Sequence, residues 1–168
     1  MVSEKNLAFL RQRGGAYIVG TPKAMLRQFE QHLTQKDWQE VQAGVEVKLV
    51  PGPDGDETFI LARSADRREK EKAMHERFVE RMEAGLTKLQ ASAARGVLRD
   101  ATVAHQRLGR LNERYWRAAG AFEVKVEPTT DSQTGKTGLS ITWTRNQRWK
   151  EWSVLSEGCY LLRTNLTE

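Results

Sequence analysis

The chain has 168 residues, of which 39% are hydrophobic and 29% are charged, a composition typical of a folded protein and not of a disordered one. The net charge of +5 and the pI of about 9.5 favour polyanionic partners, such as nucleic acid or an anionic membrane surface. No apolar run approaches the roughly 20 residues that span a bilayer. We expect no signal peptide, because residues 1–13 lack its apolar core. The single cysteine, Cys159, excludes an internal disulfide and a cysteine-rich zinc site, so we predict a cytoplasmic protein.

Helix and strand signals alternate along the chain, which predicts a mixed fold. Ser3 is expected to cap a helix that stops at the glycine pair 14–15, and residues 16–19 predict a short buried strand. Thr21 predicts the hydroxyl cap of a second helix. Alternating residues on both sides of the turn segment 51–56 predict a β-hairpin. Later strands are predicted at residues 122–126, 139–143 and 159–164, with a short amphipathic helix at 147–155.

Two longer helices are predicted in the middle of the chain. The first runs from about Ala65 to Ala94, where the sequence has no proline and is rich in Glu, Lys, Arg and Ala. Its apolar residues form one stripe: Met74, Phe78, Met82, Leu86 and Leu89. The second helix is expected from about Leu98 to Ala118, so the two form a helical hairpin. The predicted fold class is α+β.

Basic residues are concentrated in this helical hairpin. Residues 63–117 hold 14 Lys or Arg against 8 Asp or Glu, whereas the rest of the chain is slightly acidic. Four arginines of the second helix recur every three or four residues: Arg107, Arg110, Arg114 and Arg117. This spacing places them on one helical face, which could follow a phosphate backbone. The same spacing is also typical of a solvated face with charge pairs.

The segment from Trp143 to Trp152 interleaves aromatic and basic side chains. Its members that we expect to contact DNA are Arg145, Arg148, Trp149, Lys150 and Trp152. Indoles stack on unpaired bases and guanidinium groups hold phosphates, so the mixture suits a distorted or single-stranded DNA end. Alternatively these tryptophans belong to the core, and we expect at least one of Trp143, Trp149 and Trp152 to be buried.

The sequence offers no catalytic or metal-binding constellation. The histidines, at positions 32, 75 and 105, are scattered and lack the spacing of metal ligands. Cys159 lies in an apolar segment without a nearby histidine, so we expect a buried small hydrophobic residue. The aspartates are explained by helix capping or turn formation. We therefore assign no catalytic residue, no metal ligand and no cofactor within the chain.

Several segments resemble the DDE-class transposases of bacterial insertion sequences. They are residues 2–11 (VSEKNLAFLR), 17–23 (YIVGTPK), 45–64 with the Pro-Gly-Pro-Asp-Gly turn, and 158–165 (GCYLLRTN). The similarity extends over essentially the whole chain. Met1 would match the methionine of the family's Asp-Arg-Gly-Met segment, so the second catalytic aspartate would lie just before it. The catalytic glutamate would follow Glu168, and the family's Tyr-Arg-Glu-Lys signature has no counterpart, so no catalytic residue is carried over.

The resemblance implies part of a ribonuclease-H-like core and a β-containing insertion. Residues 1–20 would supply one helix and one strand of the core. Residues 21–157 would form the insertion domain, with the β-hairpin, the helical hairpin and further strands. Residues 158–168 would form a strand that returns toward the core.

By the same resemblance the chain would be an internal, inactive fragment of a bacterial enzyme that cleaves and joins transposon-end DNA. The complete enzyme would use Mg²⁺ for phosphoryl transfer and could act as a homo-oligomer, while the insertion would hold the DNA. Two alternatives use the same basic helical hairpin. A small protein-interaction module would expose the apolar stripe of the first helix. An unrelated nucleic-acid-binding module would form a closed sheet with no orphan edge.

Overall fold

The computed structural model describes residues 3–52, 55, 57–130, 135 and 137–166. The helices are α1 (Glu4–Gln12), α2 (Glu30–Thr34), α3 (Ala65–Ala94), α4 (Ala101–Arg114) and α5 (Gln147–Ser156), with 3₁₀ helices at Lys23–Phe29 and Trp116–Ala121. The strands are β1 (Ile18–Gly20), β2 (Gln39–Gln42), β3 (Val45–Pro51), β4 (Thr58–Ser64), β5 (Phe122–Thr130), β6 (Thr137–Arg145) and β7 (Cys159–Thr164). The predicted α+β class is confirmed. Contacts group the chain into a first unit, Met1–Lys72 with Ser153–Glu168, and a second unit, Ala73–Trp152.

The first unit is built on an open antiparallel sheet. Among the described residues, five strands pair in the order β1-β7-β4-β3-β2. The predicted hairpin is formed by β3 and β4, with Val45 opposite Ser64. The strand predicted at residues 159–164 is β7, which pairs with both β4 and β1. Core side chains of this unit include the fully buried Leu26, Leu61 and Leu161.

Two predictions for residues 16–21 are wrong in detail. The strand β1 is not buried, since Ile18 is 57% exposed, because β1 lies at the sheet edge where one side is uncovered. Thr21 does not cap a helix, because its hydroxyl donates to the Leu161 carbonyl at 2.9 Å, and a 3₁₀ helix without a side-chain cap follows Pro22. Ser3, by contrast, caps α1 as predicted and accepts from the Asn6 amide at 3.3 Å.

The second unit packs helical segments against a two-stranded sheet. The strands β5 and β6 pair from Phe122 opposite Arg145 to Thr130 opposite Thr137, and their connection lies mostly outside the described residues. The apolar stripe of α3 packs against this sheet and the 3₁₀ helix Trp116–Ala121. In that stripe Met82, Leu86 and Leu89 are buried, and Met74 and Phe78 are half-buried.

The helices of the second unit differ in how well their bounds were predicted. The helix α3 ends at Ala94 as expected, but α4 is shorter than the predicted 98–118. The side chain of Asp100 accepts from the Val103 amide at 3.1 Å and fixes the start of α4 at residue 101. The helix ends at Arg114, so Arg117 lies on the following 3₁₀ helix, and its prediction as part of the helical row is wrong.

None of the described helices combines the length and the apolar character needed to cross a membrane. The boundaries predicted at residues 20 and 157 refer to a ribonuclease-H-like core and stay a prediction. The compact units divide the chain elsewhere, at residues 72 and 153.

A largely buried carboxylate joins distant segments of the first unit. Glu57, just before β4, accepts hydrogen bonds from Arg11 of α1 at 2.7 Å, from the Tyr17 hydroxyl and from Arg163 of β7. Burial by itself would raise the pKa of Glu57, but the hydrogen bonds from Tyr17, Arg11 and Arg163 outweigh it and hold this pKa below its usual range. The charged form of Glu57 therefore stabilises the fold.

We expect Glu57→Gln to lower the free energy of unfolding at pH 7 by roughly 2–3 kcal/mol, because it leaves Arg163 without its buried partner. A carboxyl with a lowered folded pKa stabilises above its unfolded pKa, and this contribution is lost as the pH falls through the folded value. The difference between wild type and variant should therefore shrink below about pH 4.3. Urea unfolding at pH 7 and at acid pH measures both effects.

Glu4→Gln is the matched control for this prediction. Glu4 also accepts from Arg163, at 2.6 Å, but its side chain is 72% exposed, against 9% for Glu57. Loss of an exposed pair should cost at most about 1 kcal/mol. Equal effects of the two substitutions, or a Glu57 effect that does not change with pH, would contradict the assignment.

Candidate nucleic-acid interface

A groove between α3 and α4 in the second unit is lined by basic side chains. One stretch of it has a volume of ≈ 690 Å³ and the adjoining stretch a volume of ≈ 510 Å³. The basic lining residues are Arg81 and Lys88 from α3 and Arg95, which directly follows its last residue, with Arg107, Arg110 and Arg114 from α4. Small or apolar residues lie between them, among them Ala84, Gly85 and Leu111. Within the part of the chain that the structure describes, no carboxylate lines the groove.

The wall formed by α4 contains three of the four arginines predicted as a row. Arg107, Arg110 and Arg114 are exposed, and their spacing of three and four residues puts them on one helical face. Arg117 does not line the groove, since α4 has ended before it. Its guanidinium group instead stacks over the ring of Trp116, with 4.7 Å to the ring centroid.

The wall formed by α3 was missed by the sequence analysis. Arg81 and Lys88 are spaced by seven residues, which is nearly two full turns and places both side chains on the same face of α3, and Arg95 lies seven residues further on, just after the helix ends at Ala94. This seven-residue spacing of cations inside a predicted helix is the signal that could have found them. It was obscured by interspersed acidic residues, such as Glu80 and Glu83, that belong to other faces of the helix.

The six groove cations, defined as Arg81, Lys88 and Arg95 together with the three arginines of α4, have no ion-pair partner of their own. Among the described residues, no salt bridge and no side-chain hydrogen bond engages any of them. Like charges in one groove raise the local positive potential, because nothing nearby neutralises them. The groove is therefore a basic surface without compensating ion pairs among the described residues.

The second predicted cluster does not join this groove. Arg145 forms a salt bridge to Glu83 of α3. Glu83 follows Arg81 by two residues, so its side chain points about 200° around the helix axis from that of Arg81. Arg148 and Lys150 are exposed on α5, but neither lines the groove. DNA contact by this second cluster stays a prediction.

The tryptophans of the segment 143–152 were predicted either to contact DNA or to belong to the core, and two of them pack against the core. Trp143, Trp149 and Trp152 are all half-buried, so the expectation that at least one of them is buried is wrong. Trp143 packs edge-on against Phe122 at 5.5 Å between ring centroids, and Trp149 lies 5.9 Å from the His75 ring. Trp143 and Trp149 pack against the core of the second unit, as the alternative to DNA contact predicted.

A different tryptophan is the exposed one. Trp116 is 64% exposed and follows Tyr115, whose side chain lines one end of the groove. The sequence analysis did not select it, because it lies inside the helix expected at 98–118 and outside the aromatic and basic segment 143–152.

The remaining chemistry-bearing residues give no second site. Within the described ranges, no group of three or more His, Cys, Asp or Glu side chains could hold a metal ion. Cys159 is buried as predicted, and burial raises the pKa of its thiol, which disfavours the reactive thiolate.

Comparison of the chain with models of protein families, with curated protein sequences and with solved structures gave no match. Functional interpretation therefore depends on the basic groove and on the sequence resemblance described above.

The approach of the two helices is set by Gly85. A Cβ atom at this position would lie 2.8 Å from Cδ1 and 3.0 Å from Cγ of Leu111, closer than packed carbon atoms tolerate. Glycine therefore lets the Leu111 side chain of α4 lie against α3 at the floor of the groove, between the cations of the two sides. Gly109 of α4 has open space around its Cα, with nothing within 4 Å of a Cβ built there.

We expect opposite effects from alanine at these two glycines. Gly109→Ala should raise the free energy of unfolding by about 0.5–1 kcal/mol, because alanine has the higher helix propensity. Gly85→Ala gains the same propensity but must displace Leu111, which costs about 1–3 kcal/mol, so the net effect should be neutral or destabilising. Thermal unfolding of the two variants compares them. Equal stabilisation by both would show that α3 and α4 do not touch at Gly85.

Proposed function

We propose that the chain binds DNA through the groove between α3 and α4, as the DNA-holding part of a DDE-class transposase. The observation that carries the proposal is the set of six groove cations without ion-pair partners. Arginine and lysine donate to phosphate oxygens, and such contacts supply most of the sequence-independent affinity of proteins for DNA.

The transposase part of the proposal rests on the sequence resemblance, and the arrangement of residues 4–20 agrees with it. A helix, a glycine pair and a strand follow one another as the ribonuclease-H-like core would require. The strand β1 lies at a sheet edge, where a further strand can pair. Mg²⁺, the homo-oligomer and the bacterial cytoplasmic location belong to the complete enzyme in this proposal.

The two alternative functions agree less well with the described residues. A protein-interaction module would present the apolar stripe of α3, but Met82, Leu86 and Leu89 of that stripe are buried. A self-contained module would close its sheet, but the larger sheet has edge strands at β1 and β2. DNA binding in the groove requires neither an exposed stripe nor a closed sheet.

We expect salt-sensitive binding of labelled DNA by the purified chain, measured by fluorescence anisotropy. Arg110→Gln and Arg114→Gln should each weaken binding by roughly three- to tenfold and lower the slope of log affinity against log salt by about 1. The matched control is Lys125→Gln, which removes an exposed cation on β5 that does not line the groove.

Two outcomes of this experiment would contradict different parts of the proposal. If no DNA binds at micromolar protein, or if affinity does not change with salt, the proposed function is wrong. If Arg148→Gln and Lys150→Gln weaken binding while the groove variants do not, DNA binding stands but its assignment to the groove is wrong.

We also expect no strand transfer or cleavage when the chain is incubated with Mg²⁺ and DNA that carries candidate transposon ends. The family's three catalytic acids have no matched residues in positions 1–168, so the metal ions would lack ligands. Gel electrophoresis of the DNA provides the measurement, and product formed in proportion to protein would contradict this expectation.

A further inference from the structure

The groove between α3 and α4 has an aromatic end. Tyr115, which directly follows α4, lines the groove together with Arg81 and Arg114. The hydroxyl of Tyr115 has no hydrogen-bond partner among the described residues, and it can both donate and accept. Trp116 is the next residue of the chain, so its Cα atom lies about 3.8 Å from that of Tyr115. The backbone of Trp116 therefore adjoins the groove lining.

Trp116 is far more exposed than the other tryptophans. Its exposed fraction is 64%, whereas the other four tryptophans of the chain are half-buried. Tryptophan is on average a highly buried residue, because its indole carries a large apolar surface. The packing of the second unit therefore does not account for the position of this side chain, and most of its surface is accessible to a ligand.

The segment that carries Trp116 is anchored in the core of the second unit. Ala118 and Ala121 of the same 3₁₀ helix are buried, and the Ala118 amide donates to the Tyr115 carbonyl at 2.8 Å. The Tyr115 ring packs edge-on against Phe78, with 6.0 Å between the ring centroids. The fold thus holds this segment in place before a ligand arrives, which lowers the entropic cost of binding.

Guanidinium groups accompany the exposed indole. Arg114 lines the groove, and the guanidinium group of Arg117 lies over the Trp116 ring, 4.7 Å from its centroid. A nucleotide presents a flat base beside a charged phosphate, so an aromatic ring next to cations matches both of its parts. An apolar protein ligand would match the ring but would leave the arginines without a counter-charge.

We infer that Trp116 stacks on an unpaired base of the DNA whose phosphates the groove cations bind. The bases inside a duplex stack on one another and present only their edges to the grooves, so the indole can reach a base face only where a base is unpaired. This inference rests on the proposed function and adds a base contact to it. It predicts a preference that charge alone cannot produce.

The test compares three labelled DNAs that share one duplex, incubated with the complete chain. The first is blunt, the second has a short single-stranded tail of thymidines, and the third has an abasic tail of equal length. The two tails carry the same number of phosphates, so only the bases distinguish them. Fluorescence anisotropy should show at least about fivefold tighter binding with the thymidine tail than with the abasic tail. The thymidine tail should also quench tryptophan emission more strongly.

Variants assign the preference to a residue. Trp116→Leu should remove both the preference and the additional quenching, and should leave the affinity for the blunt duplex within about twofold, because the phosphate contacts remain. Arg114→Gln should weaken the binding of all three DNAs alike. The matched control is Phe9→Leu in the first unit. Phe9 is 53% exposed and has the guanidinium group of Arg13 4.6 Å from its ring centroid, so it repeats the arrangement at a residue that does not line the groove.

Three results would overturn the inference while leaving DNA binding in place. They are equal affinity of the wild type for the thymidine and abasic tails, a preference that persists in Trp116→Leu, and an equal loss of affinity for all three DNAs in that variant. A preference that is lost in Phe9→Leu but kept in Trp116→Leu would assign the base contact to the first unit. Absence of salt-sensitive binding to every one of these DNAs would overturn the proposed function as well.

Discussion

The second unit depends on the close approach of α3 and α4 at Gly85. The missing side chain there lets Leu111 lie against the backbone of α3, at the floor of the groove. The two rows of cations become the walls of one groove instead of two separate helix surfaces. A glycine in the middle of a long helix is unfavourable by itself, so its presence here is explained by the tertiary contact.

Like charges placed on facing walls repel one another, and the fold must offset that repulsion. The opposite side of α3 provides the compensation, because Met82 and Leu86 are fully buried and each contributes about 1.5–3 kcal/mol of apolar burial. The groove and the core therefore occupy different faces of one helix. Stability comes from the face that the ligand does not touch, and this separation lets the basic face remain uncompensated.

Elements with a strong local signal were predictable from the sequence. The composition of α3, the turn of the β3–β4 hairpin and the apolar run of β7 each determined an element with nearly correct bounds. By contrast β2 was missed, since its four residues are all exposed and carry no apolar alternation. The end of α4 was misplaced because the 3₁₀ helix that follows has residues compatible with either form.

The candidate site was only partly predictable for a related reason. The row on α4 was visible because its arginines are close in sequence, and Arg107, Arg110 and Arg114 do line the groove. The α3 row was not assigned, since interspersed acids hid its seven-residue spacing. Long-range partners could not be predicted at all: nothing local to Arg145 indicates that Glu83, 62 residues earlier, would neutralise it.

The salt bridge between Arg145 and Glu83 has a consequence for encounter with a ligand. It neutralises an acid on the side of α3 that faces away from the groove, so the charge around this helix becomes one-sided. A diffusing polyanion would then feel an attraction that turns it toward the open groove before any contact forms. If the groove binds DNA as proposed, this salt bridge would affect the rate and orientation of association although neither of its residues lines the groove.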